Sequence, residues 1–233
     1  PSAAAIALAI PPPELRAWMN LLRRTERGFC LIVVSLCLAL ATEATAATYP
    51  VVVDEPARGV LLVANPTLTD PNFARTVVLI TDHGLPGSVG LVLNRATDAA
   101  VVAAIPGLAD LENADITLRY GGPVGINSIR LLVRSARRID AADQILDEVY
   151  FVNTSALLHK LLSDTRTRDD MTIQYYAGFG AWSPGQLAME IARGDWYLVQ
   201  GDAATIFAAD PEHVWDELIE MLAGLWVLGE NAK

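Results

Sequence analysis

The chain has 233 residues, of which 52% are hydrophobic and 19% are charged, and its formal net charge at pH 7 is −10. This composition suits a globular domain with a sizeable core and excludes general disorder. The acidic balance argues against a nucleic-acid partner, because a phosphate backbone is bound through a broad basic face.

The N-terminal part of the chain predicts a leader that is removed from the mature protein. Residues 1–18 are low in complexity and do not begin with Met, so we interpret them as an extension from a mis-assigned start. Residues 19–46 contain a basic segment, an apolar run from Phe29 to Leu40 and an Ala-x-Ala pattern, which are the three parts of a secretory signal peptide. The run has 12 residues, whereas a membrane span needs about 20.

We therefore expect an exported, periplasmic protein, with a cytoplasmic location as the alternative. If the leader is not cleaved, we expect it to be the only contact with a membrane. Both cysteines, Cys30 and Cys37, lie in the apolar run, so residues 47–233 have no disulfide framework, thiol nucleophile or Cys metal site. We predict that residues 47–233 form a single domain, because no linker composition interrupts them.

The mature chain is predicted to begin with strands in hairpin-like pairs and to continue with helices between later strands. Predicted strands cover 59–65, 74–82, 87–95, 148–153 and 171–180, and 115–123 and 128–135 are predicted to pair with each other around a Gly-rich turn. Helices are predicted at 98–105 and at 154–164, the latter with Leu157, Leu158, Leu161 and Leu162 on one face. The last helix is predicted to start with Asp210 as N-cap and Pro211 at the first helical position, and its apolar stripe consists of Val214, Leu218, Met221, Leu222 and Leu225. This order predicts an α+β fold with a mixed sheet, not a strict βαβ alternation.

The sequence lacks the motifs that carry nucleotide or metal chemistry. No P-loop, no G-x-G-x-x-G and no H-E-x-x-H is present, and three scattered histidines make a poor metal set. Ser88 is a weak candidate for a nucleophile, because Pro86 stands where a nucleophile elbow needs Gly. We therefore expect no cofactor and no metal.

His83 is the residue best placed for acid–base chemistry. It follows Asp82 at the end of a buried strand, where a neutral imidazole could act as a general base. A His that only hydrogen-bonds its own turn is the alternative. If the two strands pair through the turn at 84–87, Asn94 need not lie beside His83. His159 and His213 are interpreted as surface or capping residues.

The stretch "FGAWSPGQLAMEIARGDW" at 179–196 is explained for the most part by a capped helix. Ser183 is predicted as the N-cap, with Pro184 next and Gln186 reaching back to the Ser183 backbone. Leu187 and Ile191 are expected to face the core, and Gly194 to end the helix. Trp182 is expected either to pack against Leu187 or to form one wall of a pocket at the helix N-terminus.

Three stretches taken together resemble the YqgE/AlgH family of bacterial proteins. They are "LLVANPTLTDPNFARTVVLITDHGLPGSVGLVLNR" (61–95), "YGGPV" (120–124) and "YAGFGAWSPGQLAMEIARGDWYL" (176–198). The resemblance extends from about residue 59 to residue 226. The family pattern falls on Ala64, Pro66, Leu68, Asp70, Pro71, Phe73, Asp82, His83, Gly90, Asn94, Gly121, Gly122, Pro123, Gly178, Trp182, Gly185, Gln186, Leu187, Glu190 and Trp196.

This resemblance implies a mixed, branched β-sheet curled into a pseudo-barrel with helices packed on it. The family has no agreed activity, so the resemblance implies no particular reaction, although some members are described as regulators of gene expression. The chain departs from the family pattern at Phe179 and Ala188, where Tyr and Glu are common, and family members usually lack an export signal.

Three functions fit these observations. The first is a non-enzymatic binding or regulatory domain that acts through an unknown protein or a small ligand. The second is a small-molecule hydrolase with His83 as general base and Asp70 or Asp82 as its orienting carboxylate, and the third is a structural, envelope-associated role. The expected ligand or partner surface consists of His83, Asn94, Gly121, Gly122, Trp182 and Gln186.

Overall fold

The structure is a computed structural model that describes residues 50–100, 117–154, 156–157, 160–161 and 170–230. These residues belong to one compact unit, Tyr49–Lys233. Within the described ranges, no helix has both the length and the apolar character that crossing a membrane requires. The predicted leader, His159, Leu158 and Leu162 lie outside the described residues.

Ten strands are found in the described part of the chain. Their bounds are β1 Val60–Ala64, β2 Val77–Gly84, β3 Gly87–Val92, β4 Ala96–Ala100, β5 Thr117–Tyr120, β6 Val124–Ser135, β7 Asp143–Leu146, β8 Val149–Val152, β9 Met171–Trp182 and β10 Trp196–Gln200. Eight of them follow one path in the order β10-β1-β2-β3-β9-β6-β8-β7. Every residue of β1 is buried, as its unbroken apolar sequence "VLLVA" predicts.

The sheet branches at β9. The first part of β9 lies between β5, which is parallel to it, and β6, which is antiparallel. Its last residues, Gly180–Trp182, pair with β3 instead. The α+β class with a mixed, branched sheet is therefore confirmed.

The sheet curls until the two ends of its path approach each other. Leu146, at the end of β7, packs its side chain over Gly59 and Gly201, which flank β1 and β10. The described strands β7 and β10 share no ladder, so the sheet is curled but not closed. Beyond β10, the segment Val51–Val53 pairs with the free edge of that strand through Val53 N–H to Leu198 O and Gln200 N–H to Val51 O.

Three helices lie wholly within the described ranges: α1 Gln186–Arg193, α2 Ala203–Ile206 and α3 Val214–Glu230. In α3, Val214, Leu218 and Leu222 are buried as predicted, whereas Met221 is 40% exposed. Trp215 was not expected in the stripe. It is buried, and its indole donates a 2.8 Å hydrogen bond to Ala64 O of β1, which ties the helix to the sheet.

The start of α3 differs from the predicted cap. A short 3-10 turn, Pro211–His213, precedes the helix, and the Asp210 side chain caps no backbone N–H group. Its carboxylate lies 2.9 Å from His213 Nδ1 instead. Capping by Asp210 was therefore wrong, because the carboxylate takes a side-chain partner.

Two further predictions were wrong. Residues 98–100, predicted as the start of a helix, belong to β4, which pairs with β5, so tertiary pairing overrides the helix propensity of the Ala-rich run. The strands β5 and β6 do not pair with each other, because β9 lies between them.

In the predicted 154–164 helix, residues 156–157 and 160–161 are helical, and Leu157 and Leu161 are buried.

Candidate functional site

The loop before β2 is shaped by two of its own side chains. Asn65 Oδ1 accepts hydrogen bonds from the backbone and hydroxyl of Thr67, and its Nδ2 donates to the Tyr197 hydroxyl at 2.8 Å. Asp70 Oδ1 accepts from Asn72 N–H at 2.7 Å. These local bonds are typical of Asx turns. They fix the loop that positions the residues from Phe73 to Arg75.

Phe73 enters an aromatic cluster whose polar centre is Glu190. The Phe73 ring stacks on Trp182 with centroids 5.4 Å apart, and Trp196 meets both rings edge-on. Both indole N–H groups donate to Glu190 Oε2, at 2.8 Å from Trp182 and 2.9 Å from Trp196. Glu190 Oε1 accepts from Gln186 Nε2 at 3.0 Å. Both carboxylate oxygens therefore bond side chains of the domain itself.

Two residues of the expected surface, Trp182 and Gln186, belong to this cluster. Trp182 is 3% exposed, so its ring faces the core. Gln186 Oε1 accepts from the Ser183 backbone at 3.1 Å, which confirms the predicted reach-back. Ser183 is not the N-cap, however. Gly185, at φ +77°, precedes the first helical residue, and the Ser183 hydroxyl bonds the same Gln186 oxygen.

The C-terminal half of this helix follows the prediction. Leu187 is 2% exposed and Ile191 packs against the core. Gly194 ends the helix at φ +86°, and its N–H bonds Ile191 O. The helix therefore forms an ordered support for the aromatic cluster.

Asn94 clamps the backbone at the start of β2. Its Oδ1 accepts from Val77 N–H and its Nδ2 donates to Arg75 O, each at 2.9 Å. Between these two partners the chain adopts a left-handed conformation at Arg75, with φ +56°. A left-handed Arg is strained unless its surroundings hold it. The Asn94 clamp supplies that restraint, and Asn94 itself is 7% exposed.

Gly121 and Gly122 lie at the point where the sheet branches. Gly121 bonds to both neighbours, with its N–H on Ala177 O at 2.8 Å and its carbonyl accepting from Val92 N–H at 2.9 Å. A Cβ on Gly122, which has φ +146°, would lie 2.2 Å from the carbonyl carbon of Phe179. Both glycines are buried, so close backbone packing accounts for them.

His83 lies near the tip of the β2–β3 hairpin. Its Nδ1 is 2.8 Å from the hydroxyl of Ser88, which is only 4% exposed. The Asp82 carboxylate pairs with Arg58 at 3.2 Å, and Asp70 bonds its own loop. Neither carboxylate proposed to orient His83 is therefore hydrogen-bonded to it.

The expected surface separates into distinct regions. His83, Ser88 and Trp182 are successive cross-strand partners over β2, β3 and β9. Asn94 bonds Val77, six residues before His83 in β2, a separation of about 20 Å along a strand. The sequence-based expectation that Asn94 need not adjoin His83 is thus confirmed.

A cleft opens beside Asn94, at the opposite end of the hairpin from His83. It has a volume of about 560 Å³ and is lined by Ala74, Arg75, Asn94, Arg95, Ala96, Tyr120 and Glu212. We call it the arginine cleft. Of its lining residues, Asn94 belongs to the family pattern, and the others in the quoted stretches 61–95 and 120–124 are Ala74, Arg75, Arg95 and Tyr120. Glu212 comes from the turn before the last helix.

The charged groups of the arginine cleft differ in how they are held. Arg75 contacts Asp216 at 2.7 and 3.0 Å and lies 4.2 Å from the Trp215 ring centroid. Arg95 donates instead to backbone carbonyls, Pro71 O at 3.0 Å and Ala74 O at 3.2 Å. Burial raises the pKa of Tyr120, while the charge of Arg95 lowers it and that of Asp70 raises it.

A second cleft, of about 820 Å³, lies where the two ends of the sheet approach each other. It is lined by 144–148 and 201–203, none of which belongs to the family pattern. No group of three or more potential metal ligands occurs in the described part of the chain. The arginine cleft is therefore the better candidate site.

Sequence reasoning named Asn94 but not Arg75, Arg95 or Tyr120. All three occur in the quoted stretches, but nothing in the sequence indicates that they line a cleft. The signal available was the position of polar residues at the ends of predicted strands, at 75 and at 94–95. That signal places a residue at the end of a strand, and only the folded sheet brings these ends together.

Comparisons with known proteins agree with the sequence motifs. A family model described as "DUF179: AlgH-like" matches residues 61–226. A UPF0301 protein from Chlorobium luteolum is 32% identical over 176 residues, covering 76% of this chain and 91% of the relative. A UPF0301 protein from Streptomyces avermitilis is 35% identical over 170 residues, covering 69% of this chain and 84% of the relative.

Solved structures show the same fold. The crystal structure of a Corynebacterium diphtheriae protein aligns with a TM-score of 0.59 at 29% identity, covering 71% of this chain and 86% of that one. The solution structure of the AlgH protein from Pseudomonas aeruginosa aligns with a TM-score of 0.58 at 24% identity, covering 78% and 93%. The resemblance inferred from the motifs is confirmed.

Proposed function

Because this chain belongs to the AlgH-like family, we propose that it is a non-enzymatic binding domain that holds a small ligand or a group of a partner protein in the arginine cleft. Any regulatory effect would then be exerted through the occupant of that cleft. The observation that carries the proposal is the convergence of Arg75, Arg95 and Tyr120 on one concave surface.

The other polar residues of the family pattern support this proposal by what they already bond. Glu190, Gln186, Asn94 and Asp70 all make hydrogen bonds within the domain. Residues used in this way stiffen a scaffold, and a binding site benefits from a stiff scaffold because less conformational freedom is lost on binding. Arg95 and Tyr120 line the cleft, and Arg95 is held there by its bonds to two backbone carbonyls.

The strained backbone beside the cleft also supports the proposal. Arg75 keeps φ +56° because the Asn94 clamp and the contact with Asp216 hold both its backbone and its side chain. Backbone strain that the surrounding structure maintains in this way is found most often at functional sites such as ligand-binding sites. The cleft volume of about 560 Å³ also falls in the range of pockets that bind small molecules.

The test uses NMR of the isotope-labelled domain mixed with a small-molecule extract of the source organism. We expect shifts of the amides of Ala74, Arg75, Arg95, Ala96 and Tyr120. Ala96→Trp, which fills the cleft, should remove them, whereas Ala181→Trp, at an exposed position of β9, should not. Shifts that cluster elsewhere and survive Ala96→Trp would contradict the proposal. So would the absence of shifts with both extract and purified protein fractions.

The hydrolase alternative has less support. The contact of 2.8 Å between His83 Nδ1 and Ser88 Oγ is the one observation in its favour. General-base catalysis needs an oriented base beside space for a substrate, but Ser88 is buried and Asp82 is paired with Arg58. Loss of a measured hydrolytic activity in His83→Gln would revive this alternative. The envelope-associated structural role has no specific contact in its favour.

We also propose that the domain acts outside the cytoplasm, on the strength of the leader pattern in residues 19–46. Fractionation followed by N-terminal sequencing tests this. A mature start near Ala47 in the periplasmic fraction is expected. An uncut chain in the cytoplasm would contradict export without affecting the proposal for the cleft.

A further inference from the structure

Arg95 stands apart from most other described cations of this acidic chain. Arg58, Arg75, Arg134, Arg137 and Arg193 each pair with a carboxylate. Arg95 has no such pair among the described residues, although the chain carries 27 Asp and Glu against 17 Lys and Arg. Its charge is therefore not neutralised by a direct ion pair.

The guanidinium of Arg95 is nevertheless held in place. Both of its protein hydrogen bonds use Nη2, to Pro71 O and to Ala74 O. Nε and Nη1 have no acceptor in the described part of the chain. The two carbonyls belong to the loop that Asp70 fixes, so the fork is oriented before a ligand arrives.

The neighbours of Arg95 limit what it can bind. The Tyr120 ring, whose centroid is 5.8 Å from the Arg95 guanidinium carbon, supplies an apolar wall. Arg119 lies opposite Ala96 in the β4–β5 ladder, and its Nη1 donates to Leu93 O. Glu212 also lines the cleft, the charge of Asp70 reaches Tyr120, and Arg75 is already neutralised by Asp216. These carboxylates disfavour a polyanion and leave Arg95 as the cation available to a ligand with a single negative charge.

We propose that the arginine cleft binds a small organic acid with one carboxylate, which accepts a hydrogen bond from Nη1 of the Arg95 guanidinium while its apolar part lies against Tyr120. Nη2 keeps its bonds to the two loop carbonyls, so the guanidinium holds the loop and the carboxylate at the same time, which the single nitrogen of Lys cannot reproduce in this geometry. This inference rests on the proposed binding function and names its ligand class.

The experiment titrates the labelled domain with three probes: phenylacetate, the uncharged phenylacetamide of the same shape, and inorganic phosphate. We expect phenylacetate to shift the amides at 94–96 and 120, and to bind about tenfold or more tightly than phenylacetamide. Arg95→Lys should weaken phenylacetate about tenfold, and Arg95→Gln more. Arg138→Gln, which removes an exposed charge outside the cleft, should leave binding unchanged.

Because Arg95 also holds the loop, the thermal midpoint of each variant is measured beside its affinity. A folded Arg95→Lys variant with weakened phenylacetate binding supports the inference. Equal binding of phenylacetate and phenylacetamide, or tighter binding of phosphate, overturns the ligand class. In that case the binding function still stands if Ala96→Trp abolishes the shifts. Absence of any shift at the cleft, with probes and extract alike, overturns both.

Discussion

The carboxylate of Glu190 accepts a hydrogen bond of 2.8 Å from the indole of Trp182, eight residues earlier in the chain. The same oxygen accepts from the indole of Trp196, so one residue of α1 joins the end of β9 to the start of β10. This hydrogen bond thus accounts both for the burial of Trp182 and for a carboxylate beside the aromatic cluster. A large aromatic side chain enters the core because its polar atom has a partner there.

Replacing Glu190 tests this relationship. Glu190→Leu removes the acceptor of two indole N–H groups and should lower the free energy of unfolding by about 2–4 kcal/mol. Glu190→Gln keeps one acceptor oxygen and should cost less. Urea denaturation followed by tryptophan fluorescence gives both values. Glu217→Leu, an exposed change on α3, is the control, and an equal loss in this control would contradict the assigned role of Glu190.

Substitutions at two glycines distinguish the free-energy cost of backbone strain from the cost of steric contact. Gly178 and Gly185 have nearly the same φ, +72° and +77°, but a Cβ at Gly178 would lie 2.3 Å from Gly122 O, whereas nothing lies within 4 Å at Gly185. We expect Gly185→Ala to cost about 1 kcal/mol, from conformation alone. Gly178→Ala should cost about 3 kcal/mol or more, because backbone must also move.

Chemical denaturation of both glycine variants measures this difference directly. Similar losses at the two positions would show that the approach of Gly178 to Gly122 does not constrain the branch of the sheet. A yield of soluble Gly178→Ala too low to measure would itself agree with the larger penalty, provided that Gly185→Ala is produced normally.

The Asn94 clamp should be a stability determinant. Asn94→Ala leaves Val77 N–H and Arg75 O without partners, and we expect the free energy of unfolding to fall by about 2–4 kcal/mol. Hydrogen exchange at the Val77 amide should accelerate by more than the global loss predicts, because the clamp is local. Asn153→Ala, at an exposed position after β8, is the matched control. Unchanged exchange at Val77 would argue against the clamp.

The Asp210–His213 pair predicts the direction in which the stability of the folded protein changes with pH. Hydrogen bonding to Asp210, aided by its charge, raises the pKa of His213 above 6.5. A group whose pKa is raised by folding contributes its full stabilisation when the pH is below the pKa that this group has in the unfolded protein. This stabilisation is lost as the pH rises through the pKa that the group has in the folded protein.

NMR titration of the His213 ring should therefore show a pKa above 6.5, which falls in Asp210→Asn. Asp202→Asn, which changes the exposed N-cap of α2, should leave the ring unaffected. A His213 pKa that is the same in Asp210→Asn and in the unchanged protein would remove the pair as the cause.

Local features of the fold were predictable because they depend on neighbours in sequence. Gly194 ends α1 as expected, and Gln186 reaches back to Ser183 over three residues. The cap itself was not predictable, since Gly185 adopts a left-handed conformation and shifts the helix start beyond Ser183. A Gly one residue past a Ser-Pro pair gives no sign of which φ it will take.

Long-range features were out of reach for a different reason. The placement of β9 between β5 and β6 joins residues about fifty positions apart, and nothing in the strand "DITLRY" says that its partner is Tyr175–Ala177. The candidate site has the same origin. Arg75, Arg95 and Tyr120 meet because the hairpin and β5 end at one place, and composition shows none of this.

The short segment Val51–Val53 has a consequence for how the chain can be shortened. It occupies the outer edge of β10 through two backbone hydrogen bonds. A version of the protein that starts at Val51 keeps β10 covered, whereas one that starts at Asp54 exposes a row of unpaired backbone groups on a hydrophobic strand. Exposed edges of this kind recruit other strands. We therefore expect a chain shortened to Asp54 to aggregate more readily than one that starts at Val51, although residues 51–53 lie outside the sheet's main path.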